Sequence, residues 1–285
     1  MIVFPTAKIN LGLRVLRRRP DGYHDLSTLM LPVGWCDVLE VVPGAGQGHT
    51  LSVGGANVPE CDVEQNLVMK AVRALEAYLG RALPPLDFYL EKVIPFGAGL
   101  GGGSADASYA LIAVNELLGL DIAAATLAAV AARVGADCAF FVMNHYTGLP
   151  QLAEGIGDVL SSVEIPALAG MYIAIAKPAS AAIPSKEAYA GIRPHELAEG
   201  ASLVADALRP TAQWQHSELS NDFELSIFPG HPEIAALKAH FLHSGAVYAA
   251  MSGSGAAVFG LFNSETEAAE AVAHLSDCQT FAGKL

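Results

Sequence analysis

The stretch Pro95-Phe96-Gly97-Ala98-Gly99-Leu100-Gly101-Gly102-Gly103-Ser104-Ala105-Asp106-Ala107 puts five glycines into seven positions. A strand-like run, Leu86 to Val93, leads into it, and a helix-like run, Ser104 to Leu118, leads out. Glycines let a backbone turn through positive φ and approach a ligand with no Cβ in the way. A helix directly behind such a loop turns its free N–H groups and the positive end of its dipole toward whatever sits there. Ser104 is expected to cap that helix. A plain strand-to-helix turn needs one or two glycines, so five point to a bound anion, and above all to a nucleotide phosphate. Gly97, Gly99 and Gly102 also satisfy Gly-x-Gly-x-x-Gly, but no initial βαβ unit precedes them and no acid ends a second strand about 20 residues on. The Gly-Lys-Ser/Thr of a P-loop is absent.

The chain has 285 residues, 52% of them hydrophobic, enough for two cores. Its net charge of −13 supplies no general field for a nucleic acid polymer or an anionic membrane. The basic run Arg17-Arg18-Arg19 precedes the turn signal Pro20-Asp21-Gly22 and is expected to be a solvated loop. No stretch has the length of a membrane span, and no basic-then-apolar leader opens the chain. Cysteines at 36, 61, 138 and 278 share no close spacing and suit reduced thiols, so a cytoplasmic protein is expected.

The first third alternates as strands do: Lys8 to Leu16, Leu26 to Val33 and Asp37 to Val42. Gln65 to Leu79 has helical spacing, with Leu67, Ala71, Leu75 and Leu79 on one face. Asp121 is placed to cap a helix from Ile122 to Val134, ended by Gly135. Residues 148–158 read as loop, followed by strands at Val159 to Ile165 and Gly170 to Ala176. Helices at Lys186 to Gly191 and Pro232 to His243, a polar helical stretch from Ala198 to Trp214, and strands at Val247 to Ala250 and Ala257 to Phe262 complete the pattern. Strands and helices mix without regular βαβ alternation, so the fold class is α+β with two domains, 1–165 and 166–285.

Four further segments each carry two readings. Lys8 and Asn10 point to one side of an otherwise apolar strand; a lone lysine there would be an edge residue facing water. Asp21-Gly22-Tyr23-His24 is a hairpin loop or a ring-bearing recognition turn. Asp137, just past a helix end and before the apolar run Cys138 to Phe141, is a cap or a reactive carboxylate. Ser252-Gly253-Ser254-Gly255 is a hairpin turn or a second loop closing on a ligand. His240 and His243, three apart on a helix, lack a third ligand and read as surface histidines.

With these residues in place, the glycine stretch resembles the central motif of the GHMP kinase family. Ala7-Lys8-Ile9-Asn10-Leu11, Pro20-Asp21-Gly22-Tyr23-His24, Gly135-Ala136-Asp137, Ala153-Glu154-Gly155-Ile156-Gly157, Leu219-Ser220-Asn221-Asp222-Phe223-Glu224 and Met251-Ser252-Gly253-Ser254-Gly255-Ala256 resemble, in order, one branch of that family. Its acceptor is a cytidine diphosphate-linked methylerythritol, in the non-mevalonate route to isoprenoids. The resemblance implies a two-domain α+β kinase with its active site in the cleft between the halves. It implies ATP as phosphoryl donor, Mg²⁺ on the phosphates, and transfer to the tertiary 2-hydroxyl.

Residue by residue, the resemblance makes Lys8 and Asp137 the catalytic pair, with Lys8 keeping that carboxylate ionised. It wraps Pro95 through Ala105 around the ATP phosphates and turns Asn10, Tyr23 and His24 toward the substrate. His24 then reads the cytosine edge. Tyr189, shortly after Ile183-Pro184, is the implied ring on the far side of the base. Ser104 is a possible metal ligand; the sequence assigns no others. Another GHMP kinase, acting on mevalonate or homoserine, is the enzyme alternative, and a cytosine pocket distinguishes the two. A nucleotide-binding module without turnover is the non-enzyme alternative, which Lys8 and Asp137 together argue against.

Overall fold

The computed structural model describes residues 1–58, 62–195 and 201–285. Cys61 and the first residues of the stretch 198–214 lie outside these. In chain order the elements are β1 (Ile2–Val3), β2 (Thr6–Arg18), β3 (His24–Cys36), β4 (Val38–Pro43), β5 (Thr50–Gly55), α1 (Leu67–Leu79), β6 (Leu86–Lys92), α2 (Gly102–Leu117), α3 (Ala124–Ala131) and α4 (Cys138–Thr147). There follow β7 (Gln151–Gly155), β8 (Val159–Ser162), β9 (Tyr172–Pro178), α5 (Ser185–Ala190), α6 (Leu203–Ala207), α7 (Phe223–Ile227), α8 (Pro232–His243), β10 (Tyr248–Met251), β11 (Val258–Phe262), α9 (Glu265–Val272) and β12 (Cys278–Lys284). Two compact units result. One holds Met1–Ala7, Trp35–Phe96 and Gly101–Gly148; the other holds Lys8–Gly34, Gly97–Leu100 and Leu149–Leu285.

The first unit contains the sheet β1-β4-β6-β5 and helices α1 to α4. Helix α1 starts where Asn66 accepts the Val68 amide at 2.9 Å and stops at Gly80 in the left-handed region. Helix α2 is buried on every side from Ala105 to Asn115, as a helix with no polar face must be. Strand β6 buries Leu86, Phe88 and Leu90 by strict alternation. The same alternation carries Lys92 inside, where a charge needs a partner. Lys92 Nζ donates to Asp37 Oδ2 and, at 2.6 Å, to Asp106 Oδ2 on α2. Asp37 Oδ1 accepts the Val93 and Ile94 amides at 2.5 and 2.8 Å. This triad fastens the strand that enters the glycine loop to the helix that leaves it.

Burial, opposed by Lys92 and reinforced by Asp37, pushes the Asp106 carboxyl up to about 8. A neutral Asp106 spares the site a second buried negative charge beside one ammonium. A carboxyl raised in the folded state gives its full stability below its unfolded value of about 4 and loses it as pH rises through about 8. Asp106→Asn is therefore expected to fold and to flatten the decline in Tm between about pH 4 and pH 8. Lys92→Met, which strands Asp37, is expected to cost about 3–5 kcal/mol. Thermal melts of Asp106→Asn at several pH values check the first and denaturant titration of Lys92→Met the second; a Lys92→Met protein as stable as wild type would contradict the account.

The second unit contains the sheets β2-β3-β7-β8 and β10-β11-β9-β12. Apolar residues of β2, β9 and β10 form its core with α7 and α8, among them Leu13, Val15, Ala174, Phe223, Phe241 and Met251. Strand β12 runs antiparallel to β9 from Cys278 opposite Pro178 to Lys284 opposite Tyr172.

Several elements depart from the sequence-based expectations. Helix α2 begins at Gly102 behind Gly101, which has φ 72°, so Ser104 lies inside the first turn and caps nothing. Helix α3 is short and follows Ala123; Asp121 instead turns the chain with φ 52°. Within 148–158 the chain forms β7, paired with β3 from Leu26 opposite Gly155 to Met30 opposite Gln151. Asp137 follows the end of α3 at Ala131 and also stands at the start of α4, which the apolar run from Cys138 forms. Arg17 and Arg18 end β2, and Arg17 and Arg19 are paired with Asp25 and Asp21. His240 and His243 contact the carbonyls of Ala271 and Ala239, each at 2.7 Å.

Candidate active site

In the second unit, β2 alternation sends Lys8 and Asn10 to the same side, and both are buried, at 3% and 1% exposure. Lys8 Nζ donates to Asn10 Oδ1 at 2.5 Å, Asn10 Nδ2 to Thr28 Oγ1 at 2.9 Å, and Thr28 Oγ1 to Gly12 O at 2.6 Å. This relay fixes the ammonium, and the edge-lysine alternative falls with it. The Lys8 amide donates to Leu100 O at 2.9 Å, tying the strand to the glycine loop. Within that loop Gly97 and Gly99 have φ 63° and 73°, while Ala98 and Leu100 between them bury their side chains. Left-handed backbone at alternate positions is one half of the pattern from which an anion-binding nest is built.

Ser252-Gly253-Ser254-Gly255 lies against the same loop. Ser252 Oγ donates to Gly99 O at 2.9 Å, and the amides of Ala256 and Ala257 reach Gly97 O and Ala98 O at 3.4 and 3.1 Å. A Cβ on Gly253 would stand 3.2 Å from Gly99 Cα and 3.3 Å from Lys8 Nζ.

The β2–β3 hairpin closes on Gly22, with φ 88°, and on the Asp21 carboxylate, which accepts the Tyr23 amide at 3.1 Å. Tyr23 is 61% exposed. His24 is half-buried, and burial, with Arg18 adding, holds its pKa below the ordinary imidazole value. A neutral ring offers one donor and one acceptor. His24 stacks on Tyr189 with centroids 4.8 Å apart and planes at 21°, and Tyr189 meets Phe223 edge-on at 4.9 Å. The structure thus brings His24 and Tyr189 together, the imidazole lying on the face of the phenol ring.

The first unit holds Pro95, Phe96, Gly101 through Ala105, and Asp137. Phe96 is exposed. A Cβ on Gly102 would press on Ile94 at 3.0 Å and approach Lys92 Nζ at 3.4 Å, so this glycine serves the packing of α2 on β6. Asp137 is half-buried at the N-cap of α4, and its side chain makes no capping hydrogen bond to the helix. The turn that carries it packs on the start of α2: a Cβ on Gly135 would lie 3.2 Å from Cys138 Sγ and 3.5 Å from Ser104 Oγ. Ser108 Oγ makes 2.7 and 2.8 Å contacts to Ser104 O and Cys138 O, bridging the two helices. The buried Cys138 thiol is pushed up to about 11, mainly by burial, and is inert at neutral pH.

Lys8, Asn10, Gly97 through Leu100, Tyr23, His24 and Tyr189 therefore belong to one unit, and the remaining predicted residues to the other. Sequence reasoning passed over Thr28, Ser108 and the roles of Ser252 and Asn221. Thr28 had a signal, a polar side chain in a strand opposite Asn10; Ser108 sits four residues beyond Ser104 on one helix face.

Residues 66–145 match the model of the GHMP kinases N terminal domain, and residues 203–279 match GHMP kinases C terminal. The chain is 43% identical over 285 residues to 4-diphosphocytidyl-2-C-methyl-D-erythritol kinase of Parabacteroides distasonis, covering 100% of both. To the kinase of that name from Bacteroides fragilis it is 44% identical over 267 residues, 93% of each chain. A crystal structure of 4-(cytidine 5'-diphospho)-2C-methyl-D-erythritol kinase matches it with a TM-score of 0.77 and 30% identity, over 99% of this chain and 98% of that one. The chain belongs to the GHMP kinases, in the 4-diphosphocytidyl-2-C-methyl-D-erythritol kinase family.

Proposed function

We propose that the chain transfers the γ-phosphate of ATP to the 2-hydroxyl of 4-diphosphocytidyl-2-C-methyl-D-erythritol, in non-mevalonate isoprenoid precursor biosynthesis. The stack of His24 on Tyr189 is the observation that favours this acceptor over mevalonate or homoserine, because only a nucleobase needs a flat aromatic seat. The family relatives carry the acceptor in their names.

Phosphoryl transfer asks the protein for position and charge stabilisation more than for covalent chemistry. Lys8 stabilises charge on the transferring group, held in place by Asn10 and Thr28. Asp137 accepts or orients the proton of the attacking hydroxyl. Pro95 through Ala105 receive the phosphates, with the glycine amides as donors. Asn10, Tyr23, His24 and Tyr189 serve the acceptor side; the base takes the imidazole's place on Tyr189, and His24 turns to its edge.

Mg²⁺ fits this donor set as an ion carried mainly by nucleotide oxygens. Among the described residues no three His, Cys, Asp or Glu side chains gather into a metal-sized cluster, and Mg²⁺ commonly relies on phosphate and water with few protein ligands. Ser104 would contribute the protein oxygen. Bound there, the ion would neutralise charge on the phosphates. We place the enzyme in the cytoplasm, acting on small molecules without a nucleic acid polymer or membrane partner; no described helix is long and apolar enough to cross a bilayer. We place the boundary between the two domains near residue 165, a position compatible with matched segments that end at residue 145 and begin at residue 203.

His24→Ala tests the acceptor side. Losing edge hydrogen bonds costs about 1–3 kcal/mol each, and freeing Tyr189 from the stack returns only about 0.5–1.5 kcal/mol. KM for the cytidine substrate is expected to rise about tenfold or more, with KM for ATP nearly unchanged. Steady-state kinetics with each substrate varied decides it; a loss of ATP affinity instead would move His24 to the donor side.

A further inference from the structure

Leu219-Ser220-Asn221-Asp222-Phe223-Glu224 has no role in the chemistry above, yet it grips two parts of the second unit at once. On one side it joins β2, the strand that carries Lys8. The Leu13 amide donates to Ser220 O at 3.0 Å, the Asp222 amide to Leu13 O at 2.9 Å, and the Val15 amide to Asp222 Oδ2 at 2.7 Å. On the other side it holds the turn that follows β10. Asn221 Nδ2 donates to Met251 O at 2.7 Å and to Gly253 O at 2.8 Å, and Glu224 Oε1 accepts the Met251 amide at 2.8 Å. Asn221 is 2% exposed, and its Oδ1 accepts the Phe223 amide at 3.0 Å. Two carbonyls on one side chain nitrogen fix the orientation of the amide, since only its NH₂ end can serve both.

The held turn is the one that lies on Gly99 and Lys8. Gly253 comes so near that an added Cβ would be 3.1 Å from Gly99 O and 3.3 Å from Lys8 Nζ, and Ser252 Oγ donates to Gly99 O at 2.9 Å. We infer that Asn221 is a positioning residue for phosphoryl transfer: its amide sets the Met251–Gly253 turn, and through it the placement of Lys8 and Gly99. The inference rests on the proposed function of Lys8 and the glycine loop. A rigid planar amide with two donors on one turn defines position better than either bond alone, and misplacement by about 1 Å at a reacting centre costs roughly 10²-fold in rate.

Asn221→Asp keeps the shape and replaces both donors by a carboxylate facing two carbonyl oxygens. When protonated, that acid regains one donor, and burial raises its pKa into an accessible range. The charged and titratable groups around it, Asp222 with its partners Arg14 and His195 and Glu224 with Lys238, are present in both proteins, so comparison with wild type cancels their titration. At about pH 8 kcat is expected to fall roughly 10²-fold with both KM values changed less than about threefold, and to recover several-fold relative to wild type toward about pH 6. A merely structural role predicts loss in step with loss of folded protein, read by circular dichroism, and no recovery at low pH; that result overturns the inference, as does wild-type kcat. If Asn221→Asp fails to fold, Ser252→Ala decides: a kcat about tenfold lower at constant KM supports the turn's role, and unchanged kcat overturns it. Wild-type enzyme assayed alongside separates the two levels, because absence of transfer by wild type removes the function itself and not the inference alone.

Discussion

Asp137→Asn is expected to lower kcat by roughly 10²–10⁴-fold while ATP binds almost as before. The amide keeps the volume and one oxygen of the carboxylate but cannot accept the hydroxyl proton. The fold is expected to survive, because asparagine matches the volume of the carboxylate and the turn is held by Ser108 bridging α2 and α4. A residue that acts on the chemical step lowers kcat and kcat/KM together. Stopped assays of turnover, with ATP affinity measured calorimetrically on the same protein, give both quantities. Near-wild-type kcat would remove Asp137 from the reaction.

Gly99→Ala carries the second large effect. Gly99 combines φ 73° with a Cβ site only 2.0 Å from Ser252 O, a backbone atom that cannot swing away. Left-handed backbone costs an alanine about 1–2 kcal/mol before any clash, and relief of the clash must separate the two small-residue loops. ATP affinity is expected to fall by tenfold or more, about 1.4 kcal/mol at least, together with a lower Tm. Gly48→Ala is the control: nothing lies within 4 Å of its Cβ, its backbone is not left-handed, and it stands outside the loop. Equal ATP affinity in the Gly99→Ala and wild-type proteins would mean that this loop holds no phosphate.

The glycine loop was legible because so dense a cluster of glycines has few physical causes. Lys8 and Asn10 were legible because the strand period of two puts them on one side. Ser104 misled because three glycines precede it and carry no helix signal, while a serine after glycines looks like a cap; the backbone starts the helix two residues sooner. The triad around Lys92 was hidden because its partners sit 55 and 14 residues away, and a lysine closing a strand reads as solvated until the alternation buries it. Strand β12 escaped because Cys278 to Lys284 has little apolar alternation and is half-buried. Asn221 stood in a motif that the resemblance singled out, but a motif names residues and not their partners; the carbonyls of Met251 and Gly253 reach its amide only in the fold.

Incubating the pure enzyme with ATP, Mg²⁺ and, separately, 4-diphosphocytidyl-2-C-methyl-D-erythritol, mevalonate and homoserine, and following the products by phosphorus NMR, tests the central claim most directly. The account predicts one new phosphate monoester, on the tertiary 2-hydroxyl of the cytidine compound, formed in step with ADP. A phosphorylated mevalonate or homoserine with the cytidine compound untouched, or no ADP with any of the three, would contradict it.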